Sequence, residues 1–410
     1  MNPQSHTAGH AALQIVNELR AGGHAALLAG GCVRDMLLNR MPKDYDVATD
    51  AQPARVQKLF PRARLVGAKF GVVLVRKSGF DIEVATFRSD GPYSDGRHPD
   101  AVTFGTDVED ARRRDFTING LFLDPLDDRV IDYVGGRDDL TAGVIRTIGD
   151  PDQRFAEDHL RMLRAVRLAA RLGFAIEPRT AQAIERLAPH LAAISPERIW
   201  QELEEILTAP TRSVGWSLLV QLGLCDHLVS GLRVDRRPDS PVHCRLAALP
   251  HEPIDSALAL ATLLCDGTPD SAEDTCRGLR LSNRLTQAVV WLVRSLPTVR
   301  DHAGLELADL KMLMAEPTWP FLLELFRVDR LTAAADLAPF ESLRRRAEAL
   351  DPTEVAPPPL LSGDDLAAMG LSPGPRFGVI LKTVYREQLN ERITSKNQAS
   401  ELARRLMNED

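Results

Sequence analysis

Apolar residues Ala12, Ile15, Val16 and Leu19 recur at the spacing of one helical face, and the short apolar run Ala25 to Ala29 that follows stops at Gly30-Gly31. This pattern predicts a helix covering a first strand, a glycine turn, a second helix opening on Val33-Arg34-Asp35, and a second strand carrying Asp44 and Asp46. Gln52 to Phe60 reads as a helix with Pro53 tolerated in its first turn, and Arg64 to Val66, Gly71 to Arg76 and Phe80 to Arg88 read as strands. Ser89 to Thr106 is polar, rich in glycine and proline, and without a period, which predicts a mobile loop. A short strand, Arg129 to Ile131, precedes the glycine pair Gly135-Gly136. From Pro151 to about Arg171, Phe155, Leu160, Leu163, Val166 and Leu168 form a helical stripe. Beyond residue 210 the chain reads as helical only: Leu218 to Leu224, Ile254 to Cys265, Leu279 to Leu296, Leu305 to Met314 and Pro320 to Ala335. A proline-rich linker, Pro352 to Pro359, then leads to two short helices around a glycine-proline turn. The fold class is α+β, with strands confined to the N-terminal third.

A chain of 410 residues exceeds one ordinary core, so several domains are expected. Composition is that of a soluble globular protein, and the longest apolar run, Ala257 to Cys265, is too short to span a bilayer. Without a basic and apolar leader, a cytoplasmic protein with no membrane association is expected. The five cysteines contain no C-x-x-C pair, which indicates neither a disulfide framework nor a zinc site. A net charge of −7 argues against gripping nucleic acid over the whole surface but leaves room for a local basic face.

The candidate chemistry is concentrated between residues 30 and 200. On an extended strand Asp44 and Asp46 project to the same side, and like charges that close are tolerated when a cation lies between them. Gly30 and Gly31 let backbone approach an anion at a helix start, so a metal-bound nucleoside triphosphate is the ligand class suggested. The strand Phe80 to Arg88 offers Asp81, Glu83 or both as a third carboxylate. Arg112-Arg113-Arg114 supplies cations for a phosphate, and Asp115 and Asn119, four apart, would share a helix face suited to ribose hydroxyls. Asp158 and Arg161 are expected on one helix face, either as a salt bridge or as a base-reading pair. In the second case the carboxylate accepts from an exocyclic amine and the guanidinium donates to a ring nitrogen, which suits cytosine and adenine and rejects uracil and guanine. Ser195-Pro196-Glu197 reads as a capped helix start, leaving Arg198 without an assigned role.

The run LAGGCVRDMLLNRMPKDYDVAT (28 to 49), with EVATFR (83 to 88), RRDFTING (113 to 120), the D-x-x-G-G-x-x-D-L run from Asp132, EDHLRMLRAVR (157 to 167) and SPERIWQEL (195 to 203), resembles class II tRNA nucleotidyltransferases and bacterial poly(A) polymerases of the DNA polymerase β superfamily. The only departure in the RRDFTINA-type motif is Gly120 in place of alanine. The resemblance implies a polymerase-β-like head with a mixed sheet (1-145), a helical neck (146-210), a helical body (211-351) and a tail (352-410) able to touch tRNA. It implies Asp44 and Asp46 as metal ligands and, with Glu83 rather than Asp81, as the catalytic residues. Nucleotide binding falls to Gly30, Gly31, Arg34, Arg113, Arg114, Asp115, Asn119, Asp158, Arg161 and Arg164. The expected cofactor is Mg²⁺ and the expected activity is addition of C and A from CTP and ATP to the tRNA 3′ end, with no obligate protein partner. An adenosine-restricted enzyme shares these motifs. An RNA-binding protein that lost the chemistry is disfavoured by intact Asp44, Asp46, Asp158 and Arg161, and a phosphohydrolase by the absence of any His-Asp dipeptide.

Overall fold

The computed structural model describes residues 7–67, 71–93, 99–229, 235–237, 239–334, 336–372 and 374–408. Contacts divide the chain into two compact units, Met1–Arg236 and Arg237–Asp410.

The first unit runs α1 (Ala8–Ala21), β1 (Ala26–Ala29), α2 (Gly31–Leu37), β2 (Asp46–Thr49), α3 (Pro53–Leu59), β3 (Arg64–Gly67), β4 (Val72–Lys77), β5 (Phe80–Thr86), β6 (Arg88–Asp90), β7 (Val102–Phe104), α4 (Asp107–Arg112), β8 (Leu121–Asp124) and β9 (Arg129–Asp132). It continues with α5 (Gly136–Ala142), β10 (Val144–Ile145), α6 (Pro151–Glu157), α7 (Arg161–Leu172), β11 (Ala175–Ile176), α8 (Pro178–Leu187), α9 (Pro196–Leu207) and α10 (Arg212–Gln221). Seven strands form one mixed sheet in the order β3-β4-β5-β2-β1-β8-β9. The β2 and β5 strands are parallel and every other neighbouring pair is antiparallel. The apolar stripe of α1 (Ala11, Ala12, Ile15, Val16, Leu19) is buried where that helix packs on β1, β2 and β5. Its N-terminus is closed by Thr7, whose hydroxyl accepts from the His10 amide at 3.3 Å.

The turn after β1 depends on Gly30, whose φ of 74° lies in the left-handed region that side chains resist. That turn also limits β2. Ala29 pairs with Asp46, and the chain beyond Ala29 has already entered α2, so residues before Asp46 find no strand partner there. Asp44 therefore sits in a bend ahead of the strand rather than on it. Two other expectations are corrected in the same way. The stretch Ser89 to Thr106 contains strand after all, since β6 and β7 pair antiparallel with Arg88 opposite Phe104; residues 94–98 of that stretch lie outside the described residues. Asp115 and Asn119 do not share an α-helix, because α4 ends at Arg112 and Thr117–Asn119 is a 3-10 turn. The Asp115 carboxylate accepts from the Phe116 amide at 2.8 Å and Phe116 bridges to Thr147, which draws the backbone away from helix.

The helix expected from Pro151 to Arg171 is two helices. Asp158 has extended backbone (φ −150°, ψ 103°), and its carboxylate accepts from the Leu160 amide at 3.1 Å. Asp158 is thus at the end of α6 while Arg161 opens α7, and they do not share a helix face. Ser195 precedes α9 as expected, but its side chain makes no capping hydrogen bond.

The second unit is helical: Pro241–Ala248, Ser256–Leu264, Pro269–Gly278, Asn283–Arg300, Leu307–Met314, Trp319–Ala334 and Ala338–Glu348. The expected helix Leu279 to Leu296 begins only at Asn283, because Arg280 takes a positive φ of 53° and Ser282 caps the new helix at the Leu285 amide. Buried Asp329 gathers Arg245 and Arg300 at 3.3 and 2.7 Å. After the short helix Pro352–Val355 come Gly363–Ala368, Pro375–Leu389 and Lys396–Asn408. The first of these is as short as expected, the second runs past its expected end to Leu389, and with the third they close a small core of Leu361, Leu366, Ile380, Val384, Ala399 and Ala403. Among the described residues no helix is long and apolar enough to cross a membrane.

Close packing under the 3-10 turn rests on glycines. A Cβ at Gly120 would stand 2.6 Å from Val134 Cγ2, so the departure from alanine there lets β8 and the Val134 turn approach. At Gly136 a Cβ would stand 2.2 Å from the Thr117 carbonyl oxygen, which is backbone and cannot swing aside. Gly136→Ala is expected to lower unfolding free energy by about 1–3 kcal/mol, read from denaturant midpoints at unchanged m-value.

Candidate active site

The open end of the sheet, the Gly30-Gly31 turn and the face of α7 enclose a cavity of about 620 Å³. Gly30, Gly31, Arg34, Asp46, Arg113, Arg114, Asp115, Asn119, Asp158, Arg161 and Arg164 all line it. Asp44 and Glu83 do not: Asp44 lines a second cavity of about 430 Å³, which shares Gly31, Arg34, Asp46, Arg167 and Arg171 with the first, and Glu83 lines neither. Asp46 therefore stands between the two spaces.

The carboxylates are placed by strand register. Asp46 on β2 faces Glu83 on β5 across a parallel pair, which sets their side chains on the same sheet face. Asp81 is drawn off by Arg64 at 3.3 Å and Arg76 at 3.7 Å. Burial first, then Glu83 and Asp44, push the Asp46 carboxyl up to about 6, with Arg114 opposing them. Among the described residues no three His, Cys, Asp or Glu side chains already converge as a metal cage. Hard carboxylate oxygens that repel one another and face open space are nonetheless the donor set that a divalent cation such as Mg²⁺ satisfies.

The arginine-rich side of the cavity is a connected set of charges. Arg34, only 4% exposed, donates to Asp35 through Nε (2.8 Å) and to the Asn119 side-chain oxygen through Nη1 (2.6 Å). Asn119 in turn donates to Asp115 at 3.1 Å, so the two residues meet through the 3-10 turn despite not sharing a helix. Asp115 takes a forked pair of hydrogen bonds from Arg164 at 3.0 and 2.7 Å. Burial works against the Asp115 charge, and Arg164, Asn119 and the Phe116 amide overcome it and hold the carboxyl below the usual range. Coulombic attraction to Asp115 is the largest influence on Arg164 and holds it fully charged. Arg113 and Arg114 are both held by buried Asp110, at 2.6 and 2.9 Å, and Arg114 also lies over the Phe122 ring. A Cβ on Gly30 would come within 2.8 Å of Arg114 Nη1, so the glycine is what lets that guanidinium approach the turn.

Asp158 and Arg161 both reach the cavity but do not pair with each other. Arg198 of α9 donates to Asp158 at 2.9 Å, while Arg161 donates to Glu157 at 2.6 Å and to the Arg154 carbonyl at 2.8 Å, with its guanidinium over the Tyr93 ring. The salt bridge within one helix is thus replaced by two separate partners. Several residues of the site were not singled out from the sequence. Arg167 and Arg171 continue a stripe with Arg161 and Arg164 along one face of α7, and the spacing of 3, 3 and 4 was a readable signal. Their partners Glu202 (2.6 Å from Arg167) and Asp35 (3.1 Å from Arg171) are distant in sequence and had no such signal.

Residues 26–146 match the poly A polymerase head domain, and residues 173–235 match a domain described as a probable RNA and SrmB-binding site of polymerase A. The fold and site define a nucleotidyltransferase. A CCA-adding enzyme of Geobacillus sp. (strain WCH70) is 39% identical over 289 residues, covering 70% of each chain. Poly(A) polymerase I of Escherichia coli O157:H7 is 47% identical over 212 residues, 48% of this chain and 45% of that one. The Bacillus stearothermophilus CCA-adding enzyme, solved in complex with CTP, superposes with a TM-score of 0.79 at 30% identity, covering 99% of this chain and 98% of that one. The chain belongs to the family of CCA-adding enzymes and bacterial poly(A) polymerases, whose members imply use of a divalent metal.

The raised Asp46 pKa fixes the sign of a stability effect. The folded protein resists ionising a group that the unfolded chain ionises readily, so stability is lost as pH rises through about 6. Without divalent cations at pH 8, Asp46→Asn is expected to be more stable than the unaltered protein by about 1–3 kcal/mol, and the gap to shrink toward pH 4, measured by denaturant unfolding across that range.

Proposed function

We propose that this protein adds C and A from CTP and ATP to the 3′ end of tRNA, without a nucleic-acid template. The observation that carries the proposal is the pairing of an arginine-rich cavity with Asp158 and Arg161 at one side of it, in a chain similar over its whole length to a CCA-adding enzyme solved with CTP. The division into head (1-145), neck (146-210), body (211-351) and tail (352-410) belongs to the same proposal, with the tail offered to the tRNA.

Gly30, Gly31, Arg34, Arg113 and Arg114 take the triphosphate, and Asp115 with Asn119 takes the ribose. Asp158 accepts from the exocyclic amine of cytosine or adenine while Arg161 donates to the ring nitrogen beside it. Arg164 acts by holding Asp115. Asp44 and Asp46 would hold Mg²⁺, which when bound orients the triphosphate and lowers the pKa of the attacking hydroxyl. The primer 3′-hydroxyl attacks the α-phosphorus in line, pyrophosphate departs, and Glu83 receives the hydroxyl proton directly or through water. The similarity of the head to poly(A) polymerase I supports a second reading, an adenosine-restricted enzyme using the same residues.

Transcripts of tRNA ending before CCA, after C and after CC, and an unstructured RNA, separate these readings when supplied with CTP, ATP or both. Ordered addition that stops at CCA is expected. Addition of A alone to the CC-ending tRNA, or long adenosine tails on any RNA, would replace the first reading with the second. Loss of the clamp on Asp158 gives a further expectation: Arg198→Met should raise KM for CTP and ATP by roughly tenfold and narrow discrimination against UTP and GTP, since a base-reading group left free to swing no longer presents one edge. Unchanged KM and unchanged discrimination would remove Asp158 from base selection.

A further inference from the structure

The break between α6 and α7 is held by a feature that the catalytic reading does not use. His159 lies in the break beside Asp158, and its ring stacks on His190 with centroids 5.0 Å apart and planes 18° from parallel. His190 belongs to a 3-10 turn, Ala188–Ala193, that follows α8 and precedes α9. The stack therefore ties the break to the chain that leads into α9, the helix carrying Arg198. The Nδ1 atom of His159 is buried and meets no hydrogen-bond partner among the described residues.

The groups that act on the His159 ring come from each element around it. The Phe155 carbonyl of α6 and the Asp158 carboxylate favour the charged ring, while burial and the His190 ring disfavour it; burial is the largest influence, and the net direction is downward from the usual histidine value. Asp158 is itself engaged by Arg198 from α9, and the nearby charges joining α6 to α8, Asp152 and Arg186, are paired with each other at 2.6 Å. A neutral His159 ring is thus the state that its surroundings support. Two stacked imidazolium rings repel, and the exposed His190 ring is the one that can leave the stack.

We propose that the His159–His190 stack is a proton-sensitive latch that positions Asp158 for base recognition: closed while the pair carries at most one proton, and opened by the second. The residues are positioning residues, acting on the nucleotide through Asp158. The inference rests on the reading of Asp158 as a base-recognising group.

The test is CTP binding by calorimetry at fixed saturating Mg²⁺ from pH 5.5 to 7.5, comparing the unaltered protein with His159→Phe and His190→Phe, which keep an aromatic stack but cannot double its charge. Titration of the triphosphate and of Asp46 is common to all three proteins and cancels in the ratio of their affinities. Between pH 7.5 and 5.5 the unaltered protein is expected to lose roughly tenfold more affinity than either variant, one pKa unit of mutual repulsion being tenfold. Identical pH dependence in all three overturns the latch. So does an equal loss of affinity at every pH in folded variants, which is the mark of a purely structural role. A ring-proton NMR titration of the nucleotide-free protein reads the pair without the nucleotide: His159 is expected to titrate below the usual histidine range, and to move up in His190→Phe. Two rings that titrate independently overturn the latch even if CTP binds as expected, and absence of CTP binding by the unaltered protein at pH 7.5 overturns the functional reading with it.

Discussion

The site depends on one ion pair, buried Asp115 with half-buried Arg164, which joins the turn before β8 to α7. Asp115 is the buried member, so removing Arg164 would leave a carboxylate away from water without its strongest partner. The pair is also a node. Through Asn119 it fixes Arg34, through Arg34 it reaches Asp35 and Arg171, and Arg164 approaches Glu202, which holds Arg167. Cations and anions alternate along this chain, so each arginine that faces the cavity is oriented before any ligand arrives. Preorganisation of that kind spares a bound triphosphate the entropy of gathering flexible side chains.

The acidic side of the cavity is built on the opposite principle. Asp46 has Glu83 beside it across the strands and Asp44 nearby, and the result is a carboxyl pushed up to about 6. Repulsion stored among carboxylates is a demand for positive charge. The sheet register creates it, because only the parallel β2–β5 pairing aligns Asp46 with Glu83 on one face. Glycine serves both sides: Gly30 turns the chain out of β1 just where β2 begins, and its bare backbone admits Arg114.

Much of the site was legible from the chain because its residues cluster in short runs with chemical meaning. Most of the candidate residues line one cavity; Asp44 lines the cavity next to it. The misjudged points were local geometry. Asp44 fell off its strand because β1 had already turned away, and the Pro151 to Arg171 helix broke because Asp158 turns its carboxylate back to the Leu160 amide. A short polar side chain that competes with helical hydrogen bonds leaves no trace in hydrophobic periodicity, which continued unbroken through the gap.

From the sequence alone came the order of elements from α1 to β5, the apolar faces, the glycine turn, and the residue types able to handle a phosphate, a ribose and a base. These are properties of neighbours in the chain, and spacing encodes them. Partnership was decided only in three dimensions. That Arg198 would clamp Asp158 and that His190 would stack on His159 depend on contacts between segments separated by up to 40 residues. Spacing carries no information about such pairs, because loop closure and the packing of helices against one another choose among groups that are chemically equivalent in the unfolded chain.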